Sequence, residues 1–175
     1  MTRARPLAQL SLSICNHHPS LEKARRRDLL SRIHDTLGCI ANGTNQPEES
    51  KENNSEFLKL RKSIAEESGK EDFPLAYAHN QMGCSWMMAK DYEKGCELFT
   101  KALEIWHRIP EYSKGIASME YANLGLSYWL LGQLDKASEV LEEGLKEREE
   151  GFGKDDAESF RQFTRDQLEL LAIVY

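Results

Sequence analysis

The feature that most constrains this chain is an internal repeat. Sliding the segment from Met82 to Glu104 by 42 positions onto Leu124 to Lys146 superposes Gly83 on Gly125, Ser85 on Ser127, Lys94 on Lys136, Glu97 on Glu139 and Leu103 on Leu145. The same shift pairs Met82 with Leu124, Trp86 with Tyr128, Met88 with Leu130, Tyr92 with Leu134, Gly95 with Ala137, Leu98 with Val140 and Phe99 with Leu141. Size class is kept at every position that reads as buried. A period in the range of 20 to 50 residues is the mark of a stacked array, in which each unit covers the apolar face of its neighbour.

Within each period the pattern reads as helix, tight turn, helix. In the second copy, apolar residues crowd Met119 to Leu131, Gly132-Gln133 interrupts them, and Ala137, Val140, Leu141 and Leu145 resume at helical spacing. Twenty-two leucines against two valines, with 21 glutamates and only 5 prolines in 175 residues, suit helices and argue against a β fold. The small residues have a packing role. Gly83 and Gly125 stand where a side chain would hold paired helices apart, Gly95 and Ala137 do the same from the second helix, and Trp86, Tyr128, Phe99 and Leu141 fill the space between.

These residues resemble the tetratricopeptide repeat. The family pattern wants an aliphatic then a small residue (Met82-Gly83, Leu124-Gly125), an aromatic or large residue three later (Trp86, Tyr128) and a small residue opening the second helix (Gly95, Ala137). It then wants a bulky residue four later (Phe99, Leu141) and a small one three beyond that (Ala102, Gly144). The long period and the linker from Glu147 to Asp156 are similar to the kinesin-light-chain type of repeat found in fungal multi-repeat proteins. The resemblance implies an all-α, right-handed superhelical array of antiparallel helix pairs. The expected division is a basic, poorly ordered segment over 1–19 and an array over 20–175. The array comprises a degenerate repeat at 20–69, repeats at 74–110 and 114–152, and a capping helix at 155–175.

The first repeat is expected from Leu37-Gly38, 45 positions ahead of Met82-Gly83, but Ala41 replaces the aromatic and Asn54 the bulky residue. The polar stretch from Asn42 to Asn54 suggests a longer or frayed inner turn. The last helix carries Phe160, Phe163, Gln167, Leu168, Leu171 and Val174 as a stripe, and its apolar end reads either as a cap or as an edge where a longer protein was cut.

No residues for catalysis are visible, no cofactor is implied, and no metal is expected. Ser68-Gly69-Lys70 and Gly153-Lys154 lack the glycine spacing and following hydroxyl of a phosphate loop, and His17 and His18, next to Cys15, read as solvent residues rather than metal ligands. Cysteines at 15, 39, 84 and 96 form no C-x-x-C pair, which points to reduced, intracellular thiols. The Asn42-Gly43-Thr44 and Asn53-Asn54-Ser55 triplets read as accidental matches to the glycosylation pattern. No apolar run has the length of a membrane span. A cytoplasmic location is expected, with a mitochondrial presequence in the acid-free first 21 residues as the alternative. Charge is uneven: residues 1–34 hold a net +5, including Arg25-Arg26-Arg27, which leaves −11 for the rest. That acidic body argues against nucleic acid and suits a basic or amphipathic protein partner.

In the tetratricopeptide family the first helix of each repeat lines the concave groove. The matching positions here are Tyr77, Asn80, Cys84, Met87 and Met88 from one repeat, with Met119, Ala122, Asn123, Leu126, Trp129 and Leu130 from the next. They predict an apolar, adaptable groove in which Asn80 and Asn123 hold a peptide backbone. Core packing between repeats is the alternative for Met87, Met88 and Trp129. The resemblance implies a non-enzymatic interaction module for a protein or peptide. The alternatives are a sensor or regulatory fragment of a larger signalling NTPase-type protein and self-association through the open repeat ends.

Overall fold

The computed structural model describes residues 4–18, 20–110, 112 and 114–174, with residues 163 and 166–174 as helix backbone. Its elements, among the described residues, are eight α-helices: α1 (Ala4–His17), α2 (Lys23–Gly43), α3 (Pro47–Ser68), α4 (Phe73–Met88), α5 (Tyr92–Arg108), α6 (Ser118–Leu130), α7 (Leu134–Phe152) and α8 (Lys154–Val174). Helices α2 and α3, α4 and α5, and α6 and α7 pack as pairs, and each pair leans on the next through α3 against α4 and α5 against α6. The chain is an all-α array of helix pairs, an α-solenoid.

Local sequence sets the helix ends. Asp72 accepts a bond from the Leu75 amide at 3.0 Å ahead of Pro74 in the first turn, and Asp91 caps the Lys94 amide at 3.2 Å. Gly69 closes α3 in the left-handed conformation, φ 67°. The three inner turns share one geometry: Asn45 (φ 53°), Lys90 (φ 61°) and Gly132 (φ 71°) occupy equivalent left-handed positions between the paired helices.

The core runs through the middle of the array, with Phe57, Phe99, Ile105, Trp106, Tyr121 and Leu124 buried. Its tightest points are the predicted glycines. A Cβ added to Gly83 would lie 2.6 Å from the Phe99 ring, and one on Gly125 would lie 2.5 Å from Leu141. Each glycine therefore lets the paired helix place a bulky residue directly against the backbone. Gly144 does the same for Tyr121, whose Cβ would come within 2.4 Å of an added methyl. Lys94 lies over Trp86 at 4.1 Å and Lys136 over Tyr128 at 5.4 Å, a contact that recurs with the 42-residue period.

Two expectations are corrected. The segment over 1–19 was expected to be poorly ordered, yet residues 4–17 form α1, which packs on α2 with Ala8 and Cys15 buried. The Cys15 thiol reaches the Arg26 carbonyl at 3.7 Å, and Arg5 pairs with Glu49 at 2.5 Å, so side chains far along the sequence fix a segment whose own pattern is ambiguous. The polar stretch from Asn42 to Asn54 is not a frayed turn either. Only Thr44 to Gln46 connect α2 to α3, and Pro47, Glu48 and Glu49 begin α3 with the residues an N-terminal turn favours.

At the other end, α8 packs on α7 through Ala157 and Phe160. The side chains of Phe163, Gln167, Leu168 and Leu170 to Val174, and Tyr175 as a whole, lie outside the described residues. Arg148 ties this region together, reaching Ser118 at 2.7 Å and Asp156 at 2.5 Å beneath the ring of Phe160.

Candidate partner-binding face

The first helices of successive pairs lie side by side. Helix α2 touches α4 and α4 touches α6, whereas no comparable contact among the described residues joins α3 to α5 or α5 to α7. Packing that is closer on one side than the other bends the array toward that side, so α2, α4 and α6 line its inner face. The sequence of α4 contains no Lys, Arg, Asp or Glu, and α6 contains only Glu120.

The eleven predicted residues divide into two groups. Met88, Leu126, Trp129 and Leu130 are half-buried and Met119 is 46% exposed, so these apolar side chains are reachable. The others are engaged. Asn80 is only 7% exposed, and its Oδ1 accepts a bond from Asn123 Nδ2 at 3.0 Å. Ala122 is buried, and Tyr77, Cys84 and Met87 are half-buried against the core. Met87 packs at Gly95, where an added Cβ would come within 3.2 Å of its Cγ. Asn80 and Asn123, expected to hold a peptide backbone, hold one another across α4 and α6.

That bond belongs to a repeated device. Asn123 Nδ2 also reaches the Cys84 sulfur at 3.7 Å. One pair earlier, Gln81, which stands 42 positions ahead of Asn123, donates from Nε2 to the Cys39 sulfur at 2.8 Å and to the Tyr77 hydroxyl at 2.8 Å. In both places an amide on one inner helix bonds the thiol that follows the packing glycine on the preceding inner helix, Cys39 after Gly38 and Cys84 after Gly83. Asp35, Cys39, Gln81 and Glu120 belong to the face and were missed by the sequence reading. Carrying the 45-position shift of Gly38 onto Gly83 further along the helix finds Asp35 opposite Asn80 and Cys39 opposite Cys84.

The carboxyls on this face are Asp35, half-buried, and Glu120, buried. Burial raises the Asp35 carboxyl above the usual range, against which the Cys39 and Gln81 hydrogen bonds and the Arg61 charge act. Burial likewise raises the Glu120 carboxyl, with the Trp106 indole opposing it. The Cys84 thiol is pushed up to about 12, first by burial and then by the nearby Glu120. It is therefore a protonated, inert packing group at neutral pH. No cluster of His, Cys, Asp and Glu among the described residues is arranged to hold a metal ion.

Residues 75–156 match the family model of the tetratricopeptide repeat. The matched segment begins in α4 and ends in α8, so it takes in both pairs in which a glycine faces a bulky apolar plug. No curated protein matches the chain. Tetratricopeptide repeats are in general protein–protein interaction modules, and the family is a class of non-enzymatic scaffolds. Among the described residues, no helix is long and apolar enough to cross a membrane.

Proposed function

We propose that this chain is a non-enzymatic adaptor that receives a peptide or helix of a protein partner on the inner face formed by α2, α4 and α6. The observation that carries the reading is the reachable apolar strip of Met119, Leu126, Trp129, Leu130 and Met88 beside a closed polar seam. The seam fixes the curvature of the face, and the strip supplies soft, polarizable side chains that repack around an apolar anchor. The α2/α3 pair serves in this reading as a divergent first repeat that extends the face.

Charge selects the class of partner. Helices α4 and α6 contribute no lysine or arginine, so a carboxylate terminus seated on the apolar strip has no cation there to clamp it, the cations of the face being those of α2, with Arg32 one turn from Asp35. A basic or amphipathic segment fits instead, its positive charge speeding encounter and its apolar side chains supplying affinity.

Selection of binders from a displayed peptide library tests this. The expected result is enrichment of segments with basic and apolar residues, with binding lost in Trp129→Ala and in Met119→Arg and retained in Lys59→Glu on the opposite side of the array. Binders indifferent to Trp129 and Met119, or a library that yields none, would remove the inner face as the receptor.

A further inference from the structure

The outer side of the array carries a groove of its own. Helices α3 and α5 each pack on α4 but not substantially on one another, so the back of α4 forms a floor between them. The groove holds about 330 Å³, with Leu75 and His79 contributed by α4, Lys62 by α3, Lys101 by α5 and Lys70 by the α3–α4 turn. Three cations from three elements therefore share one groove with an imidazole. Among the described residues neither Lys62 nor Lys70 forms an ion pair, and exposed Lys101 meets Glu104 at 2.8 Å. Two carboxylates line the same groove. Glu71 is held by Arg108 through bonds of 2.7 and 2.9 Å, and Glu66 is exposed on α3.

Packing does not account for His79. It is only 5% exposed, and its Nδ1 has no hydrogen-bond partner. Buried polar atoms ordinarily find a partner, and one that has none in the fold marks a place where a further group can bind. After burial, the charges of Lys62 and Lys101 are what hold the His79 pKa down, to about 4, with Glu71 opposing them. Lysines on both sides of α4 thus reach the floor electrostatically, and they make it a favourable place for a negative charge.

We propose that this outer groove is an anion site for a phosphate monoester, the phosphorylated side chain of a protein segment, held by Lys62, Lys70 and Lys101 over the imidazole of His79. A phosphoryl group carries a charge of about −2 and three strong acceptor oxygens, so it can meet cations from several elements at once, where a carboxylate brings one charge and two oxygens. Lysine suits the task because its ammonium is a mobile point charge that needs no planar fork. The groove lies opposite the inner face, so the proposal stands or falls apart from the proposed function.

The test is an NMR titration of the full chain at fixed ionic strength. The probes are a short alanine peptide carrying one phosphoserine, the same peptide with serine, and inorganic phosphate. The phosphoserine peptide is expected to give saturable shifts at the amides of 62–71 and 101 and at the His79 ring, the serine peptide none, and inorganic phosphate the same shifts with weaker affinity. Lys62→Gln/Lys101→Gln changes two exposed positions, so circular dichroism should be unchanged while affinity falls by about tenfold or more. Lys154→Gln, at an 87% exposed side chain on α8, should change nothing. Shifts that do not saturate, that spread over lysines of the whole surface, that leave the His79 ring unmoved or that survive Lys62→Gln/Lys101→Gln overturn the site. Inorganic phosphate binding more tightly than the phosphoserine peptide overturns the side-chain source.

Discussion

The α2/α3 and α4/α5 pairs use one backbone geometry and two chemistries. In both, a glycine on the first helix lets a side chain from the second press against bare backbone: Phe99 on Gly83 in the later pair, Asn54 on Gly38 in the earlier one, where an added Cβ would fall 2.1 Å from the Asn54 oxygen. Phe99 seals its pair by filling volume. Asn54 is fully buried and seals its pair by direction, donating from Nδ2 to Ser85 Oγ at 2.8 Å, to the Gln81 carbonyl at 3.2 Å and to Ser50 Oγ at 3.3 Å. Ser50 and Ser85 meet each other at 2.6 Å. The close approach of the helices is thus the fixed requirement of the array, and the plug is free to change. A polar plug does something an aromatic one cannot: it bonds its own pair to the next.

The sharpest way to break the comparison is to remove the space that both pairs share. Gly125→Leu or Gly83→Leu forces a large side chain into a gap that an added methyl already overfills, and the Phe99 ring that faces Gly83 is fully buried. A loss of about 3 kcal/mol or more is expected, enough to unfold a marginal domain. Asn80→Ala, which costs one hydrogen bond and leaves Asn123 with Cys84, should lose about 1 kcal/mol. Urea titration of both variants ranks them, and equal losses would contradict the register that places Gly83 and Gly125 against their plugs.

The next effect separates the two plugs. Phe99→Ala leaves a cavity in the apolar pair and should cost about 3–5 kcal/mol. Asn54→Ala removes the two amide protons shared among Ser85 Oγ, the Gln81 carbonyl and Ser50 Oγ and should cost about 2 kcal/mol. Asn54→Leu should recover most of that loss, because Ser50 and Ser85 keep each other, Ser85 keeps the Gln81 carbonyl at 3.1 Å, and the unpartnered Asn54 oxygen is removed. If Asn54→Leu is instead as damaging as Asn54→Ala, the network contributes more than volume and the two pairs are not variants of one design.

This contrast also explains what could be read beforehand. Gly83 with Phe99 and Gly125 with Leu141 were legible because apolar volume leaves a periodic trace in one chain segment. Asn54 read as a defect because its partners, Ser85 and Gln81, come from another helix pair some thirty residues away. The same holds for the inner face, where the expected apolar groove is half closed by amide–thiol bonds whose two halves lie about 40 residues apart. Helix α1 escaped for a related reason: its two apolar stripes blur each other's periodicity, and its register is set by Arg26 and Glu49. Pro47-Glu48-Glu49, by contrast, is a local start signal that was present in the sequence and outweighed by the polar run around it.

A smaller effect tests the boundary between the two pairs, where His79 is buried on α4. Its pKa is lowered to about 4 by burial and by the charges of Lys62 and Lys101, with Glu71 acting the other way. Its Nδ1 has no partner. The folded state therefore resists a proton that the unfolded chain accepts near 6.5. Since the unfolded chain binds more protons between these values, this contribution is intact above about pH 6.5 and is lost as the pH falls toward 4, by about 3 kcal/mol. The difference in unfolding free energy between wild type and His79→Leu should change over that window and be flat above pH 7. A difference that is flat throughout would mean the imidazole is hydrated and the junction between the pairs is open.

The smallest effect lies in the turns, where the three pairs agree in geometry and differ in residue. Asn45, Lys90 and Gly132 all adopt the left-handed conformation, and nothing lies within 4 Å of a Cβ added to Gly132. Gly132→Ala is consequently a test of backbone preference alone, with an expected loss of about 1 kcal/mol. Asn45→Ala should lose less, about 0.5 kcal/mol, because asparagine tolerates this region better than alanine but gains less from it than glycine. Thermal melts resolve both. Should Asn45→Ala prove the costlier, the α2/α3 turn is held by side-chain chemistry where the α6/α7 turn is held by backbone freedom, and the division between a directional first pair and a volume-filled later pair extends from the core to the loops.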